Sequence, residues 1–171
     1  MNVPEKLINF RVYQDGADLL GVADVSLPSL EAMTETIKGA GLAGEVDSPV
    51  LGHYGSMEVQ LNWRVLYKPS ALLAAPKGVM LDMRAANQVK DSESGAYKVQ
   101  AVKCVVRGVP KNTELGNLDV GTTSDTSTTI EVDYLKVTVD GEDVIELDKY
   151  NYICKIGGVG YLSEVREALG L

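Results

Sequence analysis

Residues 128–147 read Thr128-Thr-Ile-Glu-Val-Asp-Tyr-Leu-Lys-Val-Thr-Val-Asp-Gly-Glu-Asp-Val-Ile-Glu-Leu147. Two β-branched runs flank Asp140-Gly141, a pair suited to the tight primed turn whose central residues need positive φ. The stretch therefore reads as a β-hairpin. Its first strand changes phase. Ile130, Val132 and Tyr134 share one face, whereas Leu135, Val137 and Val139 share the other. Such a shift means either a bulge or a strand that meets two apolar environments in turn.

Other strands follow outward from this hairpin. Residues 97–107 carry few polar positions and read as a strand that is central or covered on both faces. Across residues 54–67, Met57, Val59, Leu61, Trp63, Val65 and Tyr67 alternate with Glu58, Gln60, Asn62 and Arg64. One side of that strand meets a core. The polar side is a solvated face or the lining of a water-filled channel. Ile8, Phe10 and Val12 form a half-buried strand, and Asp15-Gly16 turns it back through Ala23, Val25 and Leu27 as a hairpin. Val79, Leu81, Met83 and Ala85 make another strand, followed by a polar turn at residues 91–95. Leu30, Met33 and Ile37 fit a helical stripe, but the same segment fits a strand equally well. Ser70 reads as the N-cap of a short helix over residues 71–75, stopped by Pro76. Residues 108–127, rich in Gly, Asn, Thr, Ser and Asp, read as a long loop of the functional or mobile kind. Tyr150, Tyr152 and Cys154 alternate. Ser163 then caps a short C-terminal helix that ends at Gly170.

The count is about six or seven strands and two short helices, which predicts a mainly β domain, a β-sandwich or partly open barrel. One domain spans residues 1–171, with an arm and helix over 148–171.

The chain has 171 residues and a formal net charge of −8. It shows no basic stripe, so it does not advertise phosphate binding. No apolar run approaches the roughly 18–20 residues of a membrane span, so no membrane anchor is expected. The start, Met-Asn-Val-Pro-Glu-Lys, lacks a basic segment followed by an apolar one, and folding in a cytosol is expected. Cys104 and Cys154 sit in apolar strands and read as buried thiols. With the single histidine, His53, they cannot supply the ligands of a zinc site.

Gly39-Ala-Gly-Leu-Ala-Gly44 matches G-x-G-x-x-G, but Pro49 would end any helix within a turn and no βαβ unit surrounds it. A flexible or close-packing glycine loop is the better reading. His53 has neighbouring serines, Ser48 and Ser56, but no fixed partner. Glu142 and Asp143 are solvated beside a turn, and Asp119, Asp125 and Asp133 lack EF-hand spacing. No catalytic residue, cofactor or metal is expected.

Four segments carry a resemblance over nearly the whole chain. They are Ile8-Asn-Phe-Arg-Val-Tyr-Gln-Asp-Gly with Leu20-Gly-Val-Ala and Leu27-Pro-Ser-Leu30; Lys38-Gly-Ala-Gly-Leu-Ala-Gly and the acidic stretch after it; Val106-Arg-Gly108; and Tyr134-Leu-Lys-Val-Thr-Val-Asp-Gly141 with Glu146-Leu-Asp148 and Gly170-Leu171. In that order and spacing they resemble the major tail tube proteins of contractile-tailed phages and phage-tail-like bacteriocins, in the P2-like branch. The chain departs from the pattern in a shortened helix before Pro76.

The resemblance implies a structural protein, not an enzyme. It implies a hexameric ring whose strands line a lumen, with rings stacking into a rigid tube that penetrates the host envelope. The partners implied are further copies of the chain, the tail sheath protein, and baseplate or initiator and terminator proteins. DNA is implied only as passing cargo without sequence recognition. The place is a virion tail or tail-like particle assembled in the bacterial cytoplasm. Glu58, Gln60, Asn62 and Arg64 are expected to line the lumen. Gly39, Gly41, Gly44, Leu115, Leu118, Leu135, Val137 and Val139 are expected at contacts between subunits or rings. The phase-shifted strand would then face its own core through Ile130 and Val132 and a neighbour through Leu135, Val137 and Val139. The alternatives are the tube protein of a type VI secretion-like or other contractile injection particle, and a monomeric β-sandwich binding module.

Overall fold

The computed structural model describes the backbone of residues 1–171 and every side chain except those of residues 18 and 19. In chain order the elements are β1 (Asn2–Gln14), β2 (Asp18–Leu20), β3 (Val22–Ser26), β4 (Ala32–Lys38), β5 (Glu45–Tyr54), β6 (Glu58–Trp63), α1 (Lys68–Leu72), β7 (Val79–Asp91), β8 (Tyr97–Glu114), β9 (Thr126–Val139), β10 (Glu142–Asp148), β11 (Ile153–Ile156), β12 (Val159–Gly160) and α2 (Ser163–Leu169). Ten strands join in one antiparallel sheet, while β4 and β5 form a separate two-stranded ribbon.

Strand β9 is the hub. Along one side it pairs with β8 from end to end. Along the other it pairs with β6 through residues 126–131 and with β10 through residues 134–139. The exchange of partners falls at Asp133, which is an extra residue opposite the Arg107–Gly108 step of β8. The phase change has its cause here. A bulge puts one extra residue into the strand, so Ile130 and Val132 before it and Leu135 and Val137 after it turn toward the same core. A second environment for Leu135 is thereby corrected, because its side chain is only 3% exposed within its own chain. Val137 is half-buried against the same core, and Val139 is half-buried outside it.

Opposite the bulge, Gly108 lets the two strands close on each other. A Cβ there would lie 1.9 Å from the Glu131 carbonyl oxygen. Bulge and glycine together bend β8 and β9 into a corner, so both strands pass from one layer of the fold to the other. The first layer runs β2-β1-β7-β8-β9-β10-β11-β12. The second runs β3-β6-β9-β8, using the N-terminal half of β9 and the C-terminal end of β8. Val12, Leu81, Val106, Leu135 and Leu147 from the first layer pack against Val59, Leu61, Trp63 and Ile130 from the second. The sandwich reading thus holds as two open layers that share strands, and the sheet does not close into a barrel.

The hairpin at Asp140-Gly141 forms as read, with φ of 49° and 84° at its centre. Several other expectations are revised. The loop over 108–127 is mostly strand, because β8 continues to Glu114 and β9 begins at Thr126. What remains is residues 115–125. Strand β8 is central in order, but much of it is exposed within the single chain. The ambiguous segment at 30–38 is a strand, β4, and the glycine run links it to β5. The 54–67 strand is shorter than its pattern, since β6 stops at Trp63 and Val65 is exposed.

The mid-chain helix starts earlier than Ser70. Pro69 stands in its first turn, Tyr67 is the N-cap, and the buried Ser70 hydroxyl donates to the Tyr67 carbonyl. Helix α2 begins at Ser163 with Leu162 as its N-cap, and Gly170 ends it in the left-handed conformation. The opening hairpin holds only at its base. Strand β2 pairs with β1, whereas β3 leaves to join β6. Ile8 is exposed, and Phe10 and Val12 turn toward the core.

Candidate functional site

The outward side of the second layer is polar across four strands. Glu58, Gln60 and Asn62 alternate on β6 with the buried Val59, Leu61 and Trp63. The register sets Asn62 beside Asp24 and Gln60 beside Ser26 of β3. On the other flank it sets Glu58, Gln60 and Asn62 beside Glu131, Thr129 and Ser127 of β9. Asn112 and Glu114 of β8 complete the row next to Thr129 and Ser127. Arg64, one residue past β6, is exposed at the end of the same row.

The layer's inner side is fixed by burial. Thr126 and Thr128 are fully buried among its apolar residues, and Thr128 Oγ1 accepts the Trp63 indole N–H at 3.2 Å. That bond satisfies a polar group that burial would otherwise penalise.

The outward groups are held to one another. Asn62 donates to Asp24 Oδ1 at 2.5 Å, and Gln60 donates to Asn62 at 3.3 Å. Lys111 is an extra residue in β8 opposite the Ile130–Thr129 step. This second bulge aims its ammonium at Glu58 and at Glu131 Oε2, the latter 2.9 Å away. Ser56 Oγ also donates to Glu131. Partial burial pushes the Glu131 carboxyl upward, but the Lys111 and Ser56 hydrogen bonds outweigh it and hold the group below its ordinary value. The face therefore carries Asp24, Glu58, Glu114 and Glu131 against Lys111 and Arg64.

Both lateral edges of this layer are open. Among the described residues, β3 pairs only with β6, and residues 109–114 of β8 pair only with β9. An open edge presents unpaired N–H and C=O groups ready for another strand. Sequence reading found the β6 row but missed Asp24, Lys111, Glu114 and Glu131. Alternation within β3 held the signal for Asp24. Nothing local showed that β8 runs on past Gly108.

The expected contact residues fall in different places. Gly39, Gly41 and Gly44 all have positive φ in the turn of the β4–β5 ribbon, with open space around them. Leu115 and Leu118 are exposed in the 115–125 loop, Leu118 at 94%. Met33, Ile37 and Val46 are also exposed on the ribbon, where Ile37 and Val46 are cross-strand partners. An isolated two-stranded ribbon is marginal in water, and exposed apolar groups on one mark a contact surface.

Catalytic geometry is not assembled around His53. Its Nδ1 lies 2.7 Å from the Leu51 carbonyl and its ring meets Tyr152 edge-on. Cys104 and Cys154 are both buried, and burial pushes the Cys104 thiol up to about 11. No cluster of three or more potential metal ligands occurs among the described residues.

The sequence pattern of a family described as phage tail tube protein FII matches residues 4–170. The tail tube protein of Escherichia phage P2 is 30% identical over the full length of both chains. The major tail tube protein of Serratia phage KSP20 is 27% identical, over all of this chain and 99% of its own. Two solved structures share the fold. The sheath/tube terminator of the PVC extracellular contractile injection system, in its extended state, superposes with a TM-score of 0.54 at 14% identity, over 79% of this chain and 96% of its own. The sheath–tube complex of the same system gives 0.51 at 13% identity, over 80% of this chain and 90% of its own.

Proposed function

The chain belongs to the phage tail tube protein FII family, and we propose that its second layer is the wall of the tube. Members of that family are structural, so this chain is a contractile-tail component and not an enzyme. Six copies close into a ring, β3 of each copy pairing with residues 109–114 of the next. Rings then stack into a tube that crosses the host envelope, enclosed by a sheath and bounded by baseplate or initiator and terminator proteins. Assembly takes place in the bacterial cytoplasm.

The observation that carries this reading is the four-stranded layer, polar on its outward side and open at both edges. Strands β3, β6, β9 and β8 alternate in direction. Rotation about a tube axis preserves strand direction. The outermost strands, β3 and β8, run oppositely, so every seam is antiparallel like every pairing inside the copy. Ring closure removes both edges at once.

Glu58, Gln60, Asn62 and Arg64 then line the lumen, joined by Asp24, Glu114 and Glu131. Four carboxylates against two cations repel phosphate, which lets DNA slide without being held. The β4–β5 ribbon, with Gly39, Gly41 and Gly44 in its turn, and the 115–125 loop, with Leu115 and Leu118, supply contacts to adjacent copies. Val137 and Val139, only half-buried within the copy, add to them.

The seam is tested by disulfide trapping, since both native thiols are buried. A chain carrying Asp24→Cys and Asn112→Cys, oxidised after assembly, is expected to give a ladder of covalent oligomers ending in a closed ring. Scanning cysteines along β3 and residues 109–114 allows for register. Assembled tubes that yield no cross-link at any pairing would overturn the seam.

A further inference from the structure

Three cations from three separate strands stand side by side on the outward face of the first layer. The register places Arg11 of β1 opposite Arg84 of β7, and Arg84 opposite Lys103 of β8. No sequence window contains this row, so the apparent lack of a basic stripe is corrected by the fold. Like charges placed directly across strands destabilise a sheet unless something compensates them. In a chain of net charge −8, their alignment calls for an anionic counterpart.

Part of the counterpart is internal. Asp82, whose side chain is only 9% exposed, takes Arg84 Nη2 at 2.9 Å and Lys103 Nζ at 3.5 Å through one oxygen, Oδ2. The Arg84 guanidinium also lies 4.7 Å from the centre of the Tyr13 ring. A carboxylate and an aromatic face thus fix the orientation of Arg84 while its side chain stays 52% exposed, and that of Lys103 stays 47% exposed. Arg11 makes no ion pair among the described residues. Three cations over one carboxylate leave the patch doubly positive. Beside it, Phe10, Arg11, Tyr13 and Arg84 line an open cleft of about 270 Å³. Asp82 holds the Nε–Nη2 edge of Arg84. A half-exposed arginine fixed in this way, next to a second arginine over a small cleft, suits recognition of a carboxylate.

We propose that the Arg11–Arg84–Lys103 row docks an acidic segment of the tail sheath protein. The proposal rests on the tube reading above. If the second layer faces the lumen, the outward side of the first layer lies on the opposite side of the core and faces whatever encloses the tube. A rim of exposed charges gives orientation and speed of encounter more than raw affinity. That suits a sheath that must grip the tube while extended and slide along it on contraction.

The test coexpresses the chain with the sheath protein of the same particle and counts sheathed and naked tubes by electron microscopy. An Arg11→Glu, Lys103→Glu chain is expected to form tubes of normal width and length with sheath decoration reduced at least tenfold. Arg11→Lys should decorate like the wild type. Sheathing of preformed wild-type tubes should also weaken steeply with salt. Circular dichroism establishes that the variant is folded, and Arg11→Glu alone, which breaks no internal ion pair, guards against a folding defect. Tubes of the variant decorated as fully as wild type overturn this inference and leave the tube reading intact. A folded variant that makes no tubes places the row between copies and also overturns it. A wild-type chain that makes no tubes with its partner proteins present overturns both.

Discussion

At the scale of single residues, the fold turns on two positions that face each other across a ladder. Gly108 is required by closeness, because any side chain there would meet the Glu131 carbonyl at 1.9 Å. Gly108→Ala must therefore push β8 away from β9 at the point where both change layers. A loss of about 3 kcal/mol or more in unfolding free energy is expected, in the range of backbone-strain mutations, and urea denaturation would measure it. The opposing position, Asp133, is fastened by its neighbours. Arg107 Nε donates to Asp133 Oδ1 at 2.9 Å, and the Lys149 N–H donates to the Asp133 carbonyl at 3.0 Å. The phase change in the sequence was legible at this point. The choice between bulge and second environment was not. It depended on β6 handing over to β10 as the partner of β9, a long-range fact that no local pattern contains.

At the scale of elements, the sequence was clearest where alternation is strict and turns have strong chemistry. Strand β6 was read with its correct faces and the hairpin with its correct turn, Asp140-Gly141, though not with the faces of its first strand. The reading failed where residues usual in loops were recruited to edges. Residues 109–114 include Pro110 and Asn112, poor strand formers, but β9 supplies a ladder on one side and the other side is open, where proline is tolerated. Strand β5 holds Pro49 for the same reason, as half of a two-stranded ribbon. What remains of the long loop, residues 115–125, projects two nearly fully exposed side chains, Leu118 and Val120. Replacing residues 115–125 by a short glycine-serine link should leave the thermal melt of the isolated subunit within a few degrees, since the excised side chains lie outside the core. Tube length by electron microscopy should fall sharply. Tubes of normal length from that deletion would remove the loop from the set of stacking contacts.

At the scale of the whole molecule, the two layers carry different charge on their outward sides, carboxylate-rich on the second and a cation row on the first. The net charge of −8 hides that division, because each face draws residues from strands far apart in the chain. The lumen assignment predicts restricted access. In tubes of a Gln60→Cys variant, a maleimide carried on a bulky polymer should label many-fold faster when the ends are open than when they are capped. Equal rates would move β6 off the lumen. The shared strands have a mechanical consequence too. Strands β8 and β9 thread both layers without a break, joined by a ladder from Val102–Val139 to Glu114–Ser127. In the proposed tube, a thrust on the second layer would pass to the first along continuous backbone, not only across a side-chain interface. A rod assembled as proposed would then resist buckling through the covalent chain of each unit.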